Sequence, residues 1–124
     1  MKKKYRVCKN YEFSSIIQKR KFIKTSAFVF YYQPKKEEHA RVGISVGKKL
    51  GNAVERNKVK RQVRSMIDAL YTFDEWYDTI LIVRPVYQKQ TYQHCLGELE
   101  SSKRKLDEKR QGKEKNEQFY STQN

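Results

Sequence analysis

The chain has 124 residues, with 28 Lys and Arg against 14 Asp and Glu, a formal net charge of +14 and 37% hydrophobic residues. That length accommodates one domain with a modest core, and no apolar run approaches the roughly 20 residues that cross a bilayer. The basic start MKKKYRVCKNYEF lacks the apolar stretch of a secretory signal, and Cys8 and Cys95 belong to no CxxC spacing, so both read as ordinary thiols of a reducing cytoplasm.

Residues 1–9 read as a basic, partly ordered arm, residues 10–106 as the folded domain and residues 107–124, too poor in apolar side chains to fold, as a disordered tail. From Asn10 or Glu12 to about Lys19 the chain suits a short helix, with Phe13, Ile16 and Ile17 on one side. A short strand fits Lys21 to Lys24. AFVFYYQP (27–34) is a strand that Pro34 stops, with Phe28, Phe30 and Tyr32 on one face and Val29 and Tyr31 on the other. RVGISV (41–46) alternates, Val42, Ile44 and Val46 facing one way and Arg41, Gly43 and Ser45 the other. The short polar connection KKEEHA implies that these two strands pair as an antiparallel hairpin.

Asn52 after Gly51, with Glu55 three residues on, forms a capping-box pattern and starts a helix that runs to about Tyr71. Val59, Val63, Met66, Ile67 and Leu70 make its buried stripe, while Asn57, Arg61 and Arg64 fall on the far side and Arg56 and Lys60 at the border. DTILIVRP (78–85) is a strand apolar enough for a more buried place in the sheet. A last helix over residues 88–106 packs through Tyr92, Cys95, Leu96 and Leu99. The order is that of a small single-domain α/β fold, α-β-β-β-α-β-α, with helices layered on a sheet.

No protein-borne active site emerges. His39, in a polar connection, reads as solvated, and His94 shares no motif with it. The acids form no cluster able to hold magnesium unaided, and GKKLGN lacks the GxxxxGK(S/T) spacing of a phosphate-cradling loop.

Charge, by contrast, is concentrated. Residues 1–64 hold 19 Lys and Arg against four acids, whereas residues 65–124 hold nine against ten. Self-repulsion on that scale calls for a polyanionic partner. A membrane surface would need a basic helix with an apolar Trp/Phe/Leu face, which is missing. Lys48, Lys49, Arg56, Lys58, Lys60, Arg61 and Arg64 come from a strand end and the first turns of a helix and so form a patch; Arg supplies bidentate forks for phosphate, Lys point charges. Rings on a sheet face that the long helix leaves open would stack unpaired bases. These features favour RNA. A structural ribosomal protein shares them, while a duplex-DNA reader lacks the helix-turn-helix arrangement before residues 52–71.

The run RVGISVGKKLGNAVERNKVKRQVR (41–64) closely resembles the signature VGxSVxKKxGNAVxRNxxKRxxR of the bacterial ribonuclease P protein subunit. Weaker similarity in FSSII, FVFYY and DTILIVRP extends it over about residues 5 to 105. The resemblance implies an α/β sandwich related to a ribosomal-protein fold, with a left-handed crossover between the strands flanking the long helix. It implies a ribonucleoprotein endoribonuclease in which a catalytic RNA holds the magnesium ions and removes the 5′ leader of precursor tRNA. In that reading no catalytic residue is expected on the protein itself, magnesium is held mainly by the RNA rather than by the protein alone, and neither a membrane nor a protein oligomer is required. Carried over residue by residue, the contacts to the catalytic RNA fall on Lys48, Lys49, Asn52, Arg56, Asn57, Lys58, Lys60, Arg61 and Arg64. The leader cleft falls on Phe13, Ile17, Val29, Tyr31 and Ser45, edged by Lys60. Lys58 stands where the family uses Arg, Ile17 where it often has Phe, and Arg20 where glycine is common.

Overall fold

The computed structural model describes residues 1–120, with side chains described for 1–109. Its elements are α1 (Asn10–Gln18), β1 (Phe22–Lys24), β2 (Phe28–Pro34), β3 (Val42–Val46), α2 (Ala53–Leu70), β4 (Tyr77–Val83) and α3 (Tyr92–Tyr120), with 3-10 turns at Lys3–Tyr5, Lys48–Leu50 and Pro85–Lys89. The helices and strands follow the order expected from the sequence.

The sheet order is β1-β2-β4-β3. β4 runs antiparallel to β2 and parallel to β3, so the expected hairpin between β2 and β3 does not form. The reason lies in β4, where six of seven residues are buried. A strand that apolar is most stable where both faces are covered, so it takes the middle position and separates two strands joined by only a short connection.

One face of the sheet packs on α2 and α3. Phe28, Phe30 and Tyr32 of β2, Leu81 and Val83 of β4 and Val42 and Val46 of β3 meet Val59, Val63, Met66 and Ile67 of α2 there. That stripe on α2 is the one its periodicity foretells, with Leu70 packed at its margin. On the other face, Val7, Ile16 and Ile80 form a smaller core joined by Phe13, Ile17, Tyr31 and Ile82. Ile16 is fully buried, a burial that stabilises by about 2 kcal/mol and seats α1 on this face.

Residues 1–9 and the first turn after Leu106 are more firmly held than their composition implies. In the arm, Val7 is buried and its N–H donates to the Val42 carbonyl. The Tyr5 ring stacks on Phe73 at 4.1 Å between centroids, and the ring nitrogen Nε2 of His39 lies 2.8 Å from the Lys4 carbonyl oxygen. His39 is thus part of the arm's anchorage and not a free surface group. At the other end, α3 continues past residue 106 because its next turn finds partners on the sheet. Tyr77 Oη donates to Asp107 Oδ1 (2.9 Å), Lys103 Nζ lies within 3.0 Å of both Glu75 and Asp107, and Lys109 Nζ donates to Tyr32 Oη (2.7 Å). The expected tail therefore begins inside a helix, and its last residues, 121–124, lie outside the described residues.

Candidate nucleic-acid interface

The basic face is built around the start of α2. Gly51 has φ 114°, a left-handed conformation that glycine adopts without a Cβ penalty, and it turns the chain from the 3-10 segment into the helix. Asn52 then closes the capping box. Its Oδ1 accepts from the Glu55 N–H (2.9 Å), and its own N–H donates to Glu55 Oε1 (3.0 Å). This has an electrostatic consequence. Glu55 is the one acid among residues 41–64, and the cap holds its carboxylate at the backbone, leaving the neighbouring cations without it. The helix dipole adds further positive potential at this end.

Lys48, Lys49, Asn57, Lys58 and Arg61 are exposed, while Arg56, Lys60 and Arg64 are half-buried. Among the described residues none of these cations has a carboxylate within ion-pair distance. Arg56 Nε is enclosed without a hydrogen-bond partner among the described residues. Asn52 differs from the rest of the group. Its side-chain oxygen is committed to the cap, leaving only its NH2 group to face a partner.

Arg56, Lys60 and Arg64 recur every four residues and so line one edge of α2. That edge meets the second surface, the space between α1 and the sheet. Lys60 borders a hollow of about 400 Å³ with Asn10, Phe13, Ser14, Ile44 and Ser45. Arg64 borders an adjoining one of about 290 Å³, lined also by Arg6, Cys8, Phe13 and Gly43. The Phe13 ring forms part of both walls.

Behind this groove the sheet presents two cross-strand rows. In one, Phe22, Tyr31, Ile80 and Gly43 are register partners from β1 through β2 and β4 to β3; in the other, Lys24, Val29, Ile82 and Ser45 are. α1 covers the buried Ile80 and Gly43, whereas Tyr31, Val29, Ile82 and Ser45 are half-open. Phe13, Ile17, Val29, Tyr31 and Ser45 thus share one face of the sheet, Phe13 and Ser45 lining the same hollow as Lys60. The basic residues occupy the adjoining helix.

Sequence reasoning missed the residues that hold α1 in place. Arg41 Nη2 lies 2.8 Å from Glu12 Oε2 and 3.6 Å from Asp78 Oδ2, and its backbone N–H donates to Asp78 Oδ1. Hydrogen bonding from the Arg41 guanidinium holds the Glu12 carboxyl below its usual range, while burial pushes the Asp78 carboxyl up. Glu12, Arg41 and Asp78 lie far apart in the chain, so no local pattern announces them. Among the described residues no three His, Cys, Asp or Glu side chains gather as a metal-ligand set, and no helix there is long and apolar enough to cross a membrane.

Comparison with known proteins agrees with this architecture. The family model for ribonuclease P matches residues 1–107. The ribonuclease P protein component of Mesoplasma florum is 46% identical over 101 residues, covering 80% of this chain and 92% of that protein. That of Bacillus cereus is 42% identical over 95 residues, 75% of this chain and 83% of the relative. Among solved structures, the Staphylococcus aureus RNase P protein superposes with a TM-score of 0.74 at 36% identity, over 82% of this chain and 94% of that one. The RNase P protein from Thermotoga maritima, at 24% identity and a TM-score of 0.64 over 76% of this chain and 90% of its own, shares the fold. The chain belongs to the ribonuclease P protein family, the protein component of an endoribonuclease.

Proposed function

We propose that this chain clamps two RNAs at once. The basic face of α2 and the Lys48–Leu50 turn grips the folded catalytic RNA, and the groove between α1 and the sheet holds the single-stranded 5′ leader of precursor tRNA. Hydrolysis is left to the RNA, which also holds the magnesium ions, and the complex works in the cytoplasm without a protein oligomer. The observation that carries this reading is the position of Lys60. It sits on the edge of the basic helix and also on the rim of the groove containing Phe13 and Ser45, so a strand leaving the one surface enters the other. Cations without carboxylate partners are ready to replace counterions around phosphates, and half-open apolar side chains and a tyrosine suit unpaired bases.

The test is cleavage of precursor tRNA at low magnesium by the cognate RNA, with and without the protein. Protein should stimulate cleavage and favour precursor over mature tRNA in binding, and by itself it should cut nothing. Cleavage by the protein alone, or no stimulation of its RNA, would refute the proposal.

A further inference from the structure

Arg56, Lys60 and Arg64 form the flank of α2 that meets the leader groove, and the opposite flank borders a separate hollow. At about 100° per residue, Glu55, Lys58 and Gln62 lie on nearly the other side of the helix, with Asn57 and Arg61 between the two flanks. Together with Val59 they line a hollow of about 280 Å³ that Tyr87, Gln88 and Tyr92 complete from the Pro85–Lys89 turn and the start of α3. Gln88 Nε2 donates to the Leu50 carbonyl, which holds that turn against the one carrying the exposed Lys48 and Lys49. The hollow is therefore continuous with the basic face.

Its lining combines apolar surface with polar atoms left over from other bonds. Val59 and Tyr87 are buried, and the Tyr92 ring is half-buried. The Tyr87 hydroxyl donates to Gln62 Oε1 (2.9 Å), which fixes that amide and leaves its Nε2 to donate. Gln88 uses its Nε2 on Leu50 and keeps Oε1 to accept. Glu55 commits only Oε1 to the capping box. Gln62 Nε2, Gln88 Oε1 and Glu55 Oε2 thus have no partner among the described residues: one donor and two acceptors. The pairing edge of guanine is the complement, with donors at N1 and the 2-amino group and an acceptor at O6, whereas each other base offers a single donor group there.

We propose that the hollow takes one unpaired guanine of the catalytic RNA, which stacks on Tyr92, donates to Glu55 and Gln88 and accepts at O6 from Gln62. Lys58 meets the phosphate beside it. The inference rests on the reading of α2 as the face that grips this RNA, and deepens it by naming the base that fixes the register. A free nucleotide fits less well. Lys58 is the one cation of the lining and Glu55 opposes it, so a mononucleotide's charge is poorly held, while a polynucleotide extends its phosphates to Lys48, Lys49 and Arg61 outside.

The experiment uses the full chain assembled with its catalytic RNA and kethoxal, which modifies N1 and the 2-amino group of unpaired guanine. At saturating protein one guanine should be protected by the parent chain and reactive again with Tyr92→Ala and Gln62→Leu. Each variant should bind the RNA about tenfold more weakly, as loss of one stacked base does. Inosine at that position, which lacks the 2-amino group, should weaken the parent complex and have a smaller effect on Glu55→Gln. If no guanine changes reactivity between parent and variants, or the change falls on a leader nucleotide, the site is overturned, provided that Arg61→Ala still weakens RNA binding. If Arg61→Ala has no effect either, the reading of α2 itself is wrong. Saturable binding of guanosine monophosphate to the protein, with every RNA guanine left reactive, also overturns the assignment. Melting temperatures identify any variant that fails to fold. Glu55→Gln, which retains the capping box because Gln serves at that position as Glu does, then decides through the same guanine.

Discussion

The ring of Phe13 lies directly over Gly43, so close that a Cβ on that glycine would come within 2.7 Å of both Phe13 Cζ and Ile80 Cδ1. The position of the groove wall is therefore set by a missing side chain on β3. Gly43→Ala should displace Phe13 and cost about 1–3 kcal/mol of stability through overpacking, read from urea unfolding. It should also narrow the preference for precursor over mature tRNA, because Phe13 lines both hollows. Unchanged stability and preference would show that Phe13 yields freely.

Glu12 ties α1 to the sheet through Arg41, and its titration carries a sign that can be checked. Hydrogen bonding from Arg41 lowers the Glu12 carboxyl from its usual 4.5. The folded state therefore binds its proton less readily than the unfolded chain, and the stabilisation is present above that usual value and disappears as pH falls through the lower folded one. Glu12→Gln should cost about 1 kcal/mol at neutral pH, and the gap from the parent protein should close in acid. Asp78, raised by burial, slopes the opposite way but is common to both proteins. Urea midpoints measured from pH 7 down to acid test this; a gap that widens on acidification contradicts it.

Arg20 occupies the turn after α1 with φ 55°, a left-handed conformation that costs a side chain about 1–2 kcal/mol. Glycine removes that cost while adding about 0.5–1 kcal/mol of chain entropy to lose. Arg20→Gly should raise stability by about 0.5–1 kcal/mol, seen as a higher melting temperature.

Arg61 is exposed on the far side of α2 from the core. Arg61→Ala should weaken binding to the catalytic RNA and flatten log K against log salt by about 0.9 for each phosphate left without its cation, with little change in melting temperature. An unaltered slope in filter binding across salt would place Arg61 off the RNA.

Lys103 joins Glu75 at 2.9 Å to Asp107 at 3.0 Å, with Glu75 only 8% exposed. Burial alone would raise the Glu75 carboxyl, but Lys103 and the Thr72 N–H outweigh it and the net direction is down. Removing the ammonium leaves a buried carboxylate short of its partner, so Lys103→Ala should cost about 3 kcal/mol by chemical denaturation. Amide exchange should then quicken in the last described turns of α3.

Local physics was legible in the sequence wherever a pattern completes itself within one element. The stripe from Val59 to Ile67, the cap at Asn52 and the two faces of β2 all follow from periodicity or spacing. Failures came where partners are distant. Nothing within the KKEEHA connection reveals that β4 will intervene between β2 and β3. The lysines around Tyr5 and Val7 mask two residues that pack, because Phe73 and Val42 meet them from remote parts of the chain. The turn beyond Leu106 reads as tail until Tyr77 and Tyr32 are seen to reach it. The site divides likewise: its cations stand in one contiguous run, while the struts that set its width, Glu12, Arg41 and Gly43, acquire meaning only in three dimensions.

The central placement of β4 also bears on how the protein is made. During synthesis β2, β3 and the whole of α2 emerge before the strand that joins them, so the nascent chain exposes its cationic helix while β3 has no partner strand. Non-local pairing of this kind folds slowly. A ribosome stalled before Val83 has emerged therefore displays positive charge without the scaffold that aims it, and specific grip on RNA should begin only once that last strand slots home.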